Sequence, residues 1–475
     1  MINNWGVNMI INFSVSNFLS FNEQQTVSME AGKARKHVSR IYKNRSLRVL
    51  KFMSLFGGNA VGKSNLIKGI NFMRHMVISG LPRGFSNSYY RGNSANKEKV
   101  SEFNMVFLLN NRRYEYGFSI ILSKGAIINE YLYRLQLNGA KKCVFKRNVQ
   151  DHNFEVGEQI KLAKNQNRMK IYGEDSLLNK DSLFLHIINQ GKDALYNENS
   201  ELNILKDIYD WFRRGLSINR TDELLSERPF YTDSNITEIG EILKRLGLGI
   251  TDFRYIDISM ERIQNIVPEE ILEDILSDLE KEGVESNSER GIVLRSNKEF
   301  YTFRMNEDGK VRIQTLAFQH EKPGIYYNLN EESDGTARIF DLVEILLPTP
   351  EDKVFVIDEV DRGLHPVITA KLIEAFLAMA ELRSTQLIVT TNESRLLDND
   401  LLRSDEVNFV VKDTEGASSI KKLEDFNLRS DKNVFTAFVD GTLDKINPII
   451  DYDALLKVVN EKYKEPKGKE KKRGR

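Results

Sequence analysis

The sequence predicts an α/β fold with a mixed sheet core, an antiparallel β-subdomain and a helical insertion. Residues 52–56, which are apolar except for Ser54, and residues 353–357, which are apolar after Lys353, form runs that do not alternate between polar and apolar positions. Such runs are expected for parallel strands that are buried on both faces. An amphipathic helix is predicted directly after the first strand, over residues 65–77. A strand followed at once by a helix is typical of α/β proteins with a parallel sheet.

A glycine-rich loop joins the first of these strands to the helix. Residues 57–64 read Gly-Gly-Asn-Ala-Val-Gly-Lys-Ser and match the pattern G-x-x-x-x-G-K-[ST]. Its glycines let backbone N–H groups wrap around phosphates, Lys63 reaches the β- and γ-phosphates, and Ser64 places a hydroxyl on Mg²⁺. The following helix points its N-terminus at the anion. The predicted nucleotide contacts are Gly57, Gly58, Asn59, Ala60, Val61, Gly62, Lys63, Ser64 and Asn65.

Two acidic residues, Asp358 and Glu359, follow the second predicted strand. An Asp at the end of this strand holds Mg²⁺ in P-loop nucleotide hydrolases. Glu359 is then placed to act as the general base for the attacking water. ATP and Mg²⁺ are therefore the expected cofactors. Mg²⁺ is the only metal that the sequence implies, because its six His and single Cys form no ligand cluster.

A third pattern lies just upstream of the acidic pair. Residues 332–336 read Glu-Ser-Asp-Gly-Thr and precede an apolar helical run over residues 337–346. One interpretation is an ordinary helix N-cap with acidic residues in the first turn. The other is the Ser-x-Gly signature that ABC-type ATPases carry at this place, which it resembles. In that case Ser333 would donate to a γ-phosphate and Gly335 would permit close approach of the nucleotide.

The chain resembles the ABC-ATPase-like AAA proteins of bacterial phage defence. This group contains RloA- and AbiL-type ATPases and relatives of the OLD family and of the PARIS-system ATPase. The resemblance covers most of the chain and rests on the motifs above, together with a strand and an Asn-Phe-Leu-Ser-Phe turn within residues 10–21. Further matching positions are Leu50-Lys51, Leu66, Leu364-His365-Pro366, Leu402-Arg403-Ser404-Asp405, Lys412-Asp413, Asp425-Phe426 and Arg429.

This resemblance implies a P-loop NTPase of the ABC-ATPase type, like SMC, RecF and OLD proteins, that binds and hydrolyses ATP. Two subunits would sandwich two nucleotides, so the chain would form a homo-oligomer. Lys63 and Ser64 of one subunit would face Ser333 and Gly335 of the other. Asp361 would lie at this interface and couple the two sites. The nucleotide state would control a separate effector, a Toprim-type or other nuclease, in antiphage defence.

The chain departs from the family pattern at two positions. The family usually has Thr-Thr-His after the strand predicted at residues 386–389, and that His senses the γ-phosphate. Here the residues are Thr390, Thr391 and Asn392. Asn can hydrogen-bond, but it is shorter than His and cannot carry a proton, so we expect slow turnover that suits a switch. Val61 stands where the family often has Ser, and little effect is expected because this position supplies mainly backbone.

The charge balance, cysteine content and hydrophobicity of the sequence argue against several classes of protein. The chain has 68 basic and 68 acidic residues, so no overall field favours nucleic acid. Its single cysteine, Cys143, cannot form an intrachain disulfide and suits a reducing, cytoplasmic compartment. No apolar run approaches the ~20 residues that span a bilayer, and no signal-peptide pattern is present. We therefore expect no membrane association.

We expect four segments along the chain. Residues 9–174 form a first ATPase lobe with the phosphate loop and the β-subdomain, and residues 175–285 form a mainly helical insertion or lid. Residues 286–450 hold further strands and a second lobe with the Ser-x-Gly motif, the Asp-Glu strand and the sensor strand. Residues 451–475 form a C-terminal helix and a basic tail. Strands are predicted at 105–109, 114–122, 126–137, 290–294, 300–305 and 310–318, helices at 203–216, 236–246 and 269–282, and a turn at 307–309.

Two other functions stay open. A RecF-like repair or recombination ATPase would bind duplex DNA directly, with salt-dependent affinity. Its footprint would be the basic segment at residues 33–51. This segment and the basic tail at 464–475 also fit an ordinary solvated surface. A non-enzymatic sensor would bind ATP only to stabilise its structure and would not hydrolyse it. Asn392 favours this second alternative, and the intact Glu359 argues against it.

Overall fold

The computed structural model describes residues 6–196, 200–219, 236–282, 291–296, 299–305, 309–347, 353–397, 401–426, 434–439 and 456–457. Its strands are β1 (Met9–Ser16), β2 (Gln25–Ser28), β3 (Ile41–Asn44), β4 (Leu47–Leu50), β5 (Phe52–Phe56), β6 (Ser101–Leu109), β7 (Arg112–Ile121), β8 (Ala126–Leu135), β9 (Lys141–Asn148), β10 (Asn153–Val156), β11 (Leu216–Asn219), β12 (Asp252–Ile258), β13 (Gly291–Ser296), β14 (Glu299–Met305), β15 (Val311–Gln319), β16 (Tyr326–Asn328), β17 (Val354–Ile357), β18 (Gln386–Thr390), β19 (Val407–Lys412) and β20 (Ser418–Lys422). Its α-helices are α1 (Lys63–Ile78), α2 (Ala163–Ser176), α3 (Phe184–Ile188), α4 (Asn203–Asp210), α5 (Ile236–Arg245), α6 (Met260–Gln264), α7 (Glu269–Glu282), α8 (Asp334–Leu342), α9 (Pro366–Ala380) and α10 (Val434–Val439).

A six-stranded sheet forms the centre of the fold, in the order β11-β17-β18-β5-β19-β20. Its first five strands are parallel, and β20 pairs antiparallel with β19. On β5, Met53 and Leu55 pack into one hydrophobic core, whereas Phe52 and Phe56 pack into another. Burial on both faces explains why four of its five residues are apolar. Both predicted parallel strands and the mixed sheet core are confirmed.

A seven-stranded antiparallel sheet, in the order β10-β9-β8-β7-β6-β1-β2, forms the predicted β-subdomain. The predicted strands at 105–109, 114–122 and 126–137 correspond to β6, β7 and β8. Helix α1 joins this sheet to the central one. The rings of Phe72 on α1, Phe18 and Phe103 lie 4.9–5.6 Å apart, centre to centre. The helix that follows the phosphate loop is therefore anchored on the β-subdomain by aromatic packing.

The segment at 175–285 contains helices where its pattern predicts them, as α4, α5 and α7. The helix predicted at 203–216 is too long, however, because α4 ends at Asp210 and Leu216 begins β11. Two strands of this segment, β11 and β12, were not predicted. Strand β11 pairs in parallel with β17, so this part of the segment belongs to the central sheet. Strand β12 pairs with β15 in a third sheet, of order β12-β15-β14-β13, with β16 also on β15. The division into four segments stays a prediction.

The third sheet contains the strands predicted at 290–294, 300–305 and 310–318, as β13, β14 and β15. Residue 290 and residues 307–308 of the predicted turn lie outside the described residues. Helices α6 and α7 pack on this sheet around a small core of its own.

The C-terminal helix and basic tail, predicted at 451–475, also lie outside the described residues, except that 456–457 are helical. Within the described ranges, no helix is long and apolar enough to cross a membrane.

Candidate functional site

The predicted site residues follow the carboxyl ends of three neighbouring parallel strands of the central sheet, and therefore lie at one edge of it. Strand β18 lies between β17 and β5, with Val389 opposite both Ile357 and Ser54. Because parallel strands end at the same edge of a sheet, the segments that follow them lie side by side. The glycine-rich loop follows β5, the acidic pair follows β17, and Asn392 follows β18. The topology thus brings together residues that are about 300 positions apart in the chain.

The glycine-rich loop has a shape that only glycine permits at its key position. Gly62 has φ 109° and precedes α1. A Cβ there would lie 2.5 Å from the hydroxyls of Ser20 and Ser418. No side chain caps the N-terminus of α1 in the described structure. The Asn65 N–H already donates to the Gly62 carbonyl at 3.0 Å, so the N–H groups of Lys63 and Ser64 are the ones at this terminus that an anion could use.

Lys63 points back into this loop. Its Nζ donates hydrogen bonds of 2.9 Å to the carbonyl oxygens of Gly57 and Gly58 and to Oδ1 of Asn392. Burial lowers the pKa of Lys63, and the nearby Asp361, Glu359 and Asp358 act in the opposite direction. The ammonium is thus held in the loop, with carboxylates near it on the side of β17.

Asp358 is buried, and its orientation is set by the end of β18. The Thr390 hydroxyl donates to Asp358 Oδ1 at 2.6 Å and accepts the backbone N–H of Glu359 at 2.7 Å. Glu359 has φ 49°, which is uncommon for a residue with a side chain. Its side chain is half-buried. One hydroxyl therefore fixes both acidic residues through two different groups.

Asn392 and Asp361 also meet at this edge. The backbone N–H of Asn392 lies 3.3 Å from both carboxylate oxygens of Asp361. Asn392 thus contacts the phosphate-loop lysine through its side chain and the segment after Glu359 through its backbone. It occupies the position between β5 and β17 at which a γ-phosphate sensor is expected.

The remaining loop residues divide into two groups. Asn59 and Ala60 are exposed at the tip of the loop, and Val61 and Ser64 are half-buried. Asn65, in contrast, donates its side-chain amide to the Ser20 hydroxyl at 2.8 Å. This bond ties the first turn of α1 to the turn at residues 18–21, so the Asn65 side chain supports the loop from behind.

Ser333 is the N-cap of α8, as one interpretation of its motif predicts. Its hydroxyl accepts the Thr336 N–H at 3.1 Å, and the Ser333 side chain is exposed. A Cβ on Gly335 would lie 3.1 Å from the carbonyl of Gly363, in the segment after the acidic pair. In the described structure, the Ser333 side chain makes no hydrogen bond to the phosphate loop of its own chain. Capping and contact with another subunit's nucleotide are compatible, because the side chain faces outward.

Arg338 is a site residue that sequence reasoning missed. It lies one turn into α8 and donates to Asn219 Oδ1 at 2.8 Å and to the carbonyls of Asp358 and Glu359 at 3.4 and 3.3 Å. Burial lowers its pKa. The only signal in the sequence was a cation within the mainly apolar run Ala337–Phe340 of α8. Arg338 connects the helix of the Ser-x-Gly motif to the acidic pair of the same chain.

The basic segment at 33–51 is only partly available to an external ligand. Lys51 is buried and donates to the Ala380 carbonyl at 2.6 Å, and Arg40 donates to the Leu401 carbonyl at 2.6 Å. These hydrogen bonds join the segment to the end of α9 and to the chain after β18. The exposed basic residues are Lys33, Arg35, Lys36, Lys43 and Arg45.

Residues 52–398 match a protein family described as "AAA domain, putative AbiEii toxin, Type IV TA system". No curated protein sequence matches the chain.

The chain is also similar to solved structures of SMC heads. One is the SMC head bound to the C-winged helix domain of ScpA, at 13% identity and a TM-score of 0.39, covering 88% of this chain and 99% of that chain. Another is the SMC head domain from Thermotoga maritima, at 14% identity and a TM-score of 0.31, covering 87% and 98%. A third is the Smc head with an extended coiled coil, bound to the C-terminal domain of ScpA derived from Pyrococcus furiosus. It has 12% identity and a TM-score of 0.35, and covers 88% and 97%.

Proposed function

The chain belongs to this family of AAA domains, and we propose that it binds and hydrolyses ATP at the phosphate loop. The observation that carries the proposal is the position of the Lys63 ammonium, 2.9 Å from two loop carbonyls and from Asn392 Oδ1. A γ-phosphate bound in the loop would replace these acceptors as the partner of the ammonium. The half-buried Glu359 lies on the same side, where it would orient the attacking water and take its proton.

Mg²⁺ fits the same edge of the sheet. Ser64, in the first turn of α1, and Asp358, held by Thr390, would be its protein ligands. A hydroxyl and a carboxylate are the hard oxygen donors that this ion prefers. When bound, the ion would neutralise charge that develops on the β- and γ-phosphate oxygens.

Two variants test this function. Lys63→Ala should raise the Kd for ATP by about 100-fold, since it removes a charged donor from the phosphates. Glu359→Gln should bind ATP normally and slow single-turnover hydrolysis by about 100-fold or more. Lys68→Ala is the matched control, because it removes an exposed lysine from the same helix, α1. ATP binding by Lys63→Ala as tight as that of the wild type would overturn the proposal. An unchanged rate of phosphate release in Glu359→Gln would favour the non-enzymatic sensor.

We infer further that two subunits sandwich the nucleotides, with Ser333 and Gly335 of one facing Lys63 of the other and Asp361 at the interface. The exposed position of the Ser333 hydroxyl, at the N-terminus of α8, supports this arrangement. Ser333→Asn is the informative variant, because Asn is as good an N-cap as Ser. We expect it to abolish ATP-dependent dimerisation of the Glu359→Gln protein, measured by light scattering, without lowering stability. Dimerisation that survives would restrict Ser333 to capping.

A mixing experiment separates contact between subunits from contact within one chain. Lys63→Ala and Ser333→Asn proteins should each be inactive alone. A mixed dimer would contain one site built from the intact Lys63 of one chain and the intact Ser333 of the other. ATPase activity should therefore reappear on mixing. If the Ser-x-Gly motif served the nucleotide of its own chain, mixing would restore nothing.

We propose that closure of this sandwich controls a separate effector, a nuclease, in antiphage defence. Resemblance to defence ATPases supports this step, and the family description names a toxin–antitoxin system, which requires a second component. The test is capture of the Glu359→Gln protein with ATP from its native host, with nuclease treatment and Lys63→Ala as the control bait. A stoichiometric second protein with nuclease chemistry, absent from the control, is expected. Recovery of the chain alone, or of DNA that had to be digested away, would favour the RecF-like alternative.

A further inference from the structure

Strand β5 has a different neighbour on each side, and this orients a bound nucleotide. On one side β18 and β17 lead to Asn392 and the acidic pair, where the γ-phosphate is expected. On the other side, β19 pairs in parallel with β5 and continues into the hairpin with β20. A nucleotide whose terminal phosphate points toward β17 extends its ribose and base toward this hairpin.

The β19–β20 hairpin is firmly attached around the phosphate loop. The Ser418 hydroxyl donates to the Val61 carbonyl at 2.5 Å, and the Ser418 N–H donates to the Ser20 carbonyl at 2.7 Å. At the tip, the Tyr90 hydroxyl donates to the Glu415 carbonyl at 2.9 Å. The hairpin is thus bonded to the loop, to the turn at 18–21 and to the segment after α1. The backbone of the hairpin is therefore held beside the loop.

Lys412 is the hairpin residue that reaches the loop from outside. It is exposed, and its Nζ donates to the carbonyl of Ala60 at 3.3 Å. Ala60 has φ 60° and is itself exposed at the tip of the loop. Because the loop turns its N–H groups toward phosphates, a lysine on an outward carbonyl lies beside the site rather than within it. Its methylene stem offers apolar surface next to a charged end.

We propose that Lys412 contacts the nucleoside end of the bound nucleotide, with its stem against the base and its ammonium between the ribose and the Ala60 carbonyl. This inference rests on the proposed ATP site and assigns a second lysine to it. Lys63 serves the β- and γ-phosphates, whereas Lys412 serves the ribose and base. The residue thereby makes the site selective for a nucleoside triphosphate over an inorganic polyphosphate.

Binding of three ligands to Lys412→Ala tests the assignment. The Kd values for ATP and ADP should each rise about tenfold, because both contain the nucleoside. The Kd for inorganic triphosphate should stay within about twofold of the wild-type value, and so should the hydrolysis rate at saturating ATP. Lys43→Ala, which removes an exposed lysine from the separate β3–β4 hairpin, is the matched control and should leave all three Kd values unchanged.

Two outcomes would overturn the assignment. Equal weakening of triphosphate and ATP binding would place Lys412 at the phosphates, and an unchanged Kd for ATP would leave it without a nucleotide contact. Failure of the underlying ATP site gives a different result, in which the wild type and Lys63→Ala bind ATP equally poorly. The binding data therefore distinguish a failure of the Lys412 assignment from a failure of the proposed ATP site.

Discussion

The hydroxyl of Thr390 lies 2.6 Å from Oδ1 of Asp358 and donates its proton to that carboxylate. Both residues are buried at the carboxyl edge of neighbouring parallel strands. The same hydroxyl accepts the N–H of Glu359. A single oxygen atom on β18 therefore sets the geometry of the predicted metal ligand and of the predicted general base. Thr390 would thus position these two groups without touching the nucleotide itself.

Thr390→Val tests this relationship with a nearly isosteric change. It leaves a buried carboxylate oxygen without its donor and a backbone N–H without its acceptor, so the free energy of unfolding should fall by about 2 kcal/mol. The Mg²⁺ concentration for half-maximal ATPase activity should rise, because Asp358 is no longer held. Urea denaturation and a Mg²⁺ titration are the measurements.

Thr369→Val is the control for that experiment. Thr369 is also buried, but its hydroxyl has no hydrogen-bond partner among the described residues. Its replacement should leave both the stability and the Mg²⁺ dependence close to those of the wild type. If both valine variants lose the same stability, the Thr390 hydroxyl has no special role.

Arg338→Met should uncouple the helix of the Ser-x-Gly motif from the acidic pair. Arg338 donates to the carbonyls of Asp358 and Glu359, so its loss frees the segment that carries the general base. We expect the single-turnover rate to fall about tenfold while the Kd for ATP changes less than about threefold. Quenched-flow hydrolysis and fluorescent-nucleotide binding measure the two quantities. Arg45→Met, at an exposed site, is the control. A weaker Kd at an unchanged rate would contradict this role.

The strands that carry the site could be predicted from the sequence, because apolar residues at successive positions indicate a strand that is buried on both faces. The phosphate loop and the acidic pair follow short apolar runs of the kind expected for parallel strands buried on both faces. Because parallel strands end at the same edge of a sheet, this prediction also places the two motifs side by side. Strand β11 was missed because four residues, Leu-Ser-Ile-Asn, carry no decisive period, and its partner β17 lies more than 130 positions away. Pairing over such distances leaves no local signal.

The side-chain partners within the site were not predictable for a related reason. Thr390 and Arg338 stand out only after the register of β17 against β18 and the position of α8 are known. Ser333 shows the converse case, because its role as an N-cap is local and was readable from the sequence. Its role toward a second subunit stays a prediction.

Asn392→His tests whether the departure from the family pattern slows hydrolysis. Asn392 Oδ1 accepts a hydrogen bond from Lys63, and a histidine could reach farther and donate to the γ-phosphate. We expect the single-turnover rate to rise about tenfold, which corresponds to one added hydrogen bond of about 1.4 kcal/mol in the transition state. Asn392→Ala should lower the rate and provides the reference for loss of the contact. A rate for Asn392→His that equals or falls below the wild-type rate would contradict the hypothesis that Asn392 slows hydrolysis.

Glu406, a buried residue next to β5, should make the free energy of unfolding depend on pH. Burial, reinforced by Asp405, raises the pKa of this carboxyl from 4.5 to about 7, although the Arg403 N–H, Arg40 and Arg403 act in the opposite direction. The backbone carbonyl of Glu406 accepts the Ser54 hydroxyl on β5. The folded chain thus binds the Glu406 proton more tightly than the unfolded chain does. Stability should therefore fall as pH rises from 4.5 to 7, and the lost contribution should reach about 3 kcal/mol above pH 7.

Glu406→Gln isolates this contribution, because a neutral amide replaces the protonated carboxyl. Below pH 4.5 the variant and the wild type should have similar free energies of unfolding, since the wild-type carboxyl is then protonated in both states. At pH 8 the variant should be the more stable protein, because it has no buried charge to accommodate. Urea denaturation across this pH range measures the difference. The exposed Glu98→Gln variant should keep the wild-type slope between pH 4.5 and 7, and a parallel slope in Glu406→Gln would show that other groups cause the dependence.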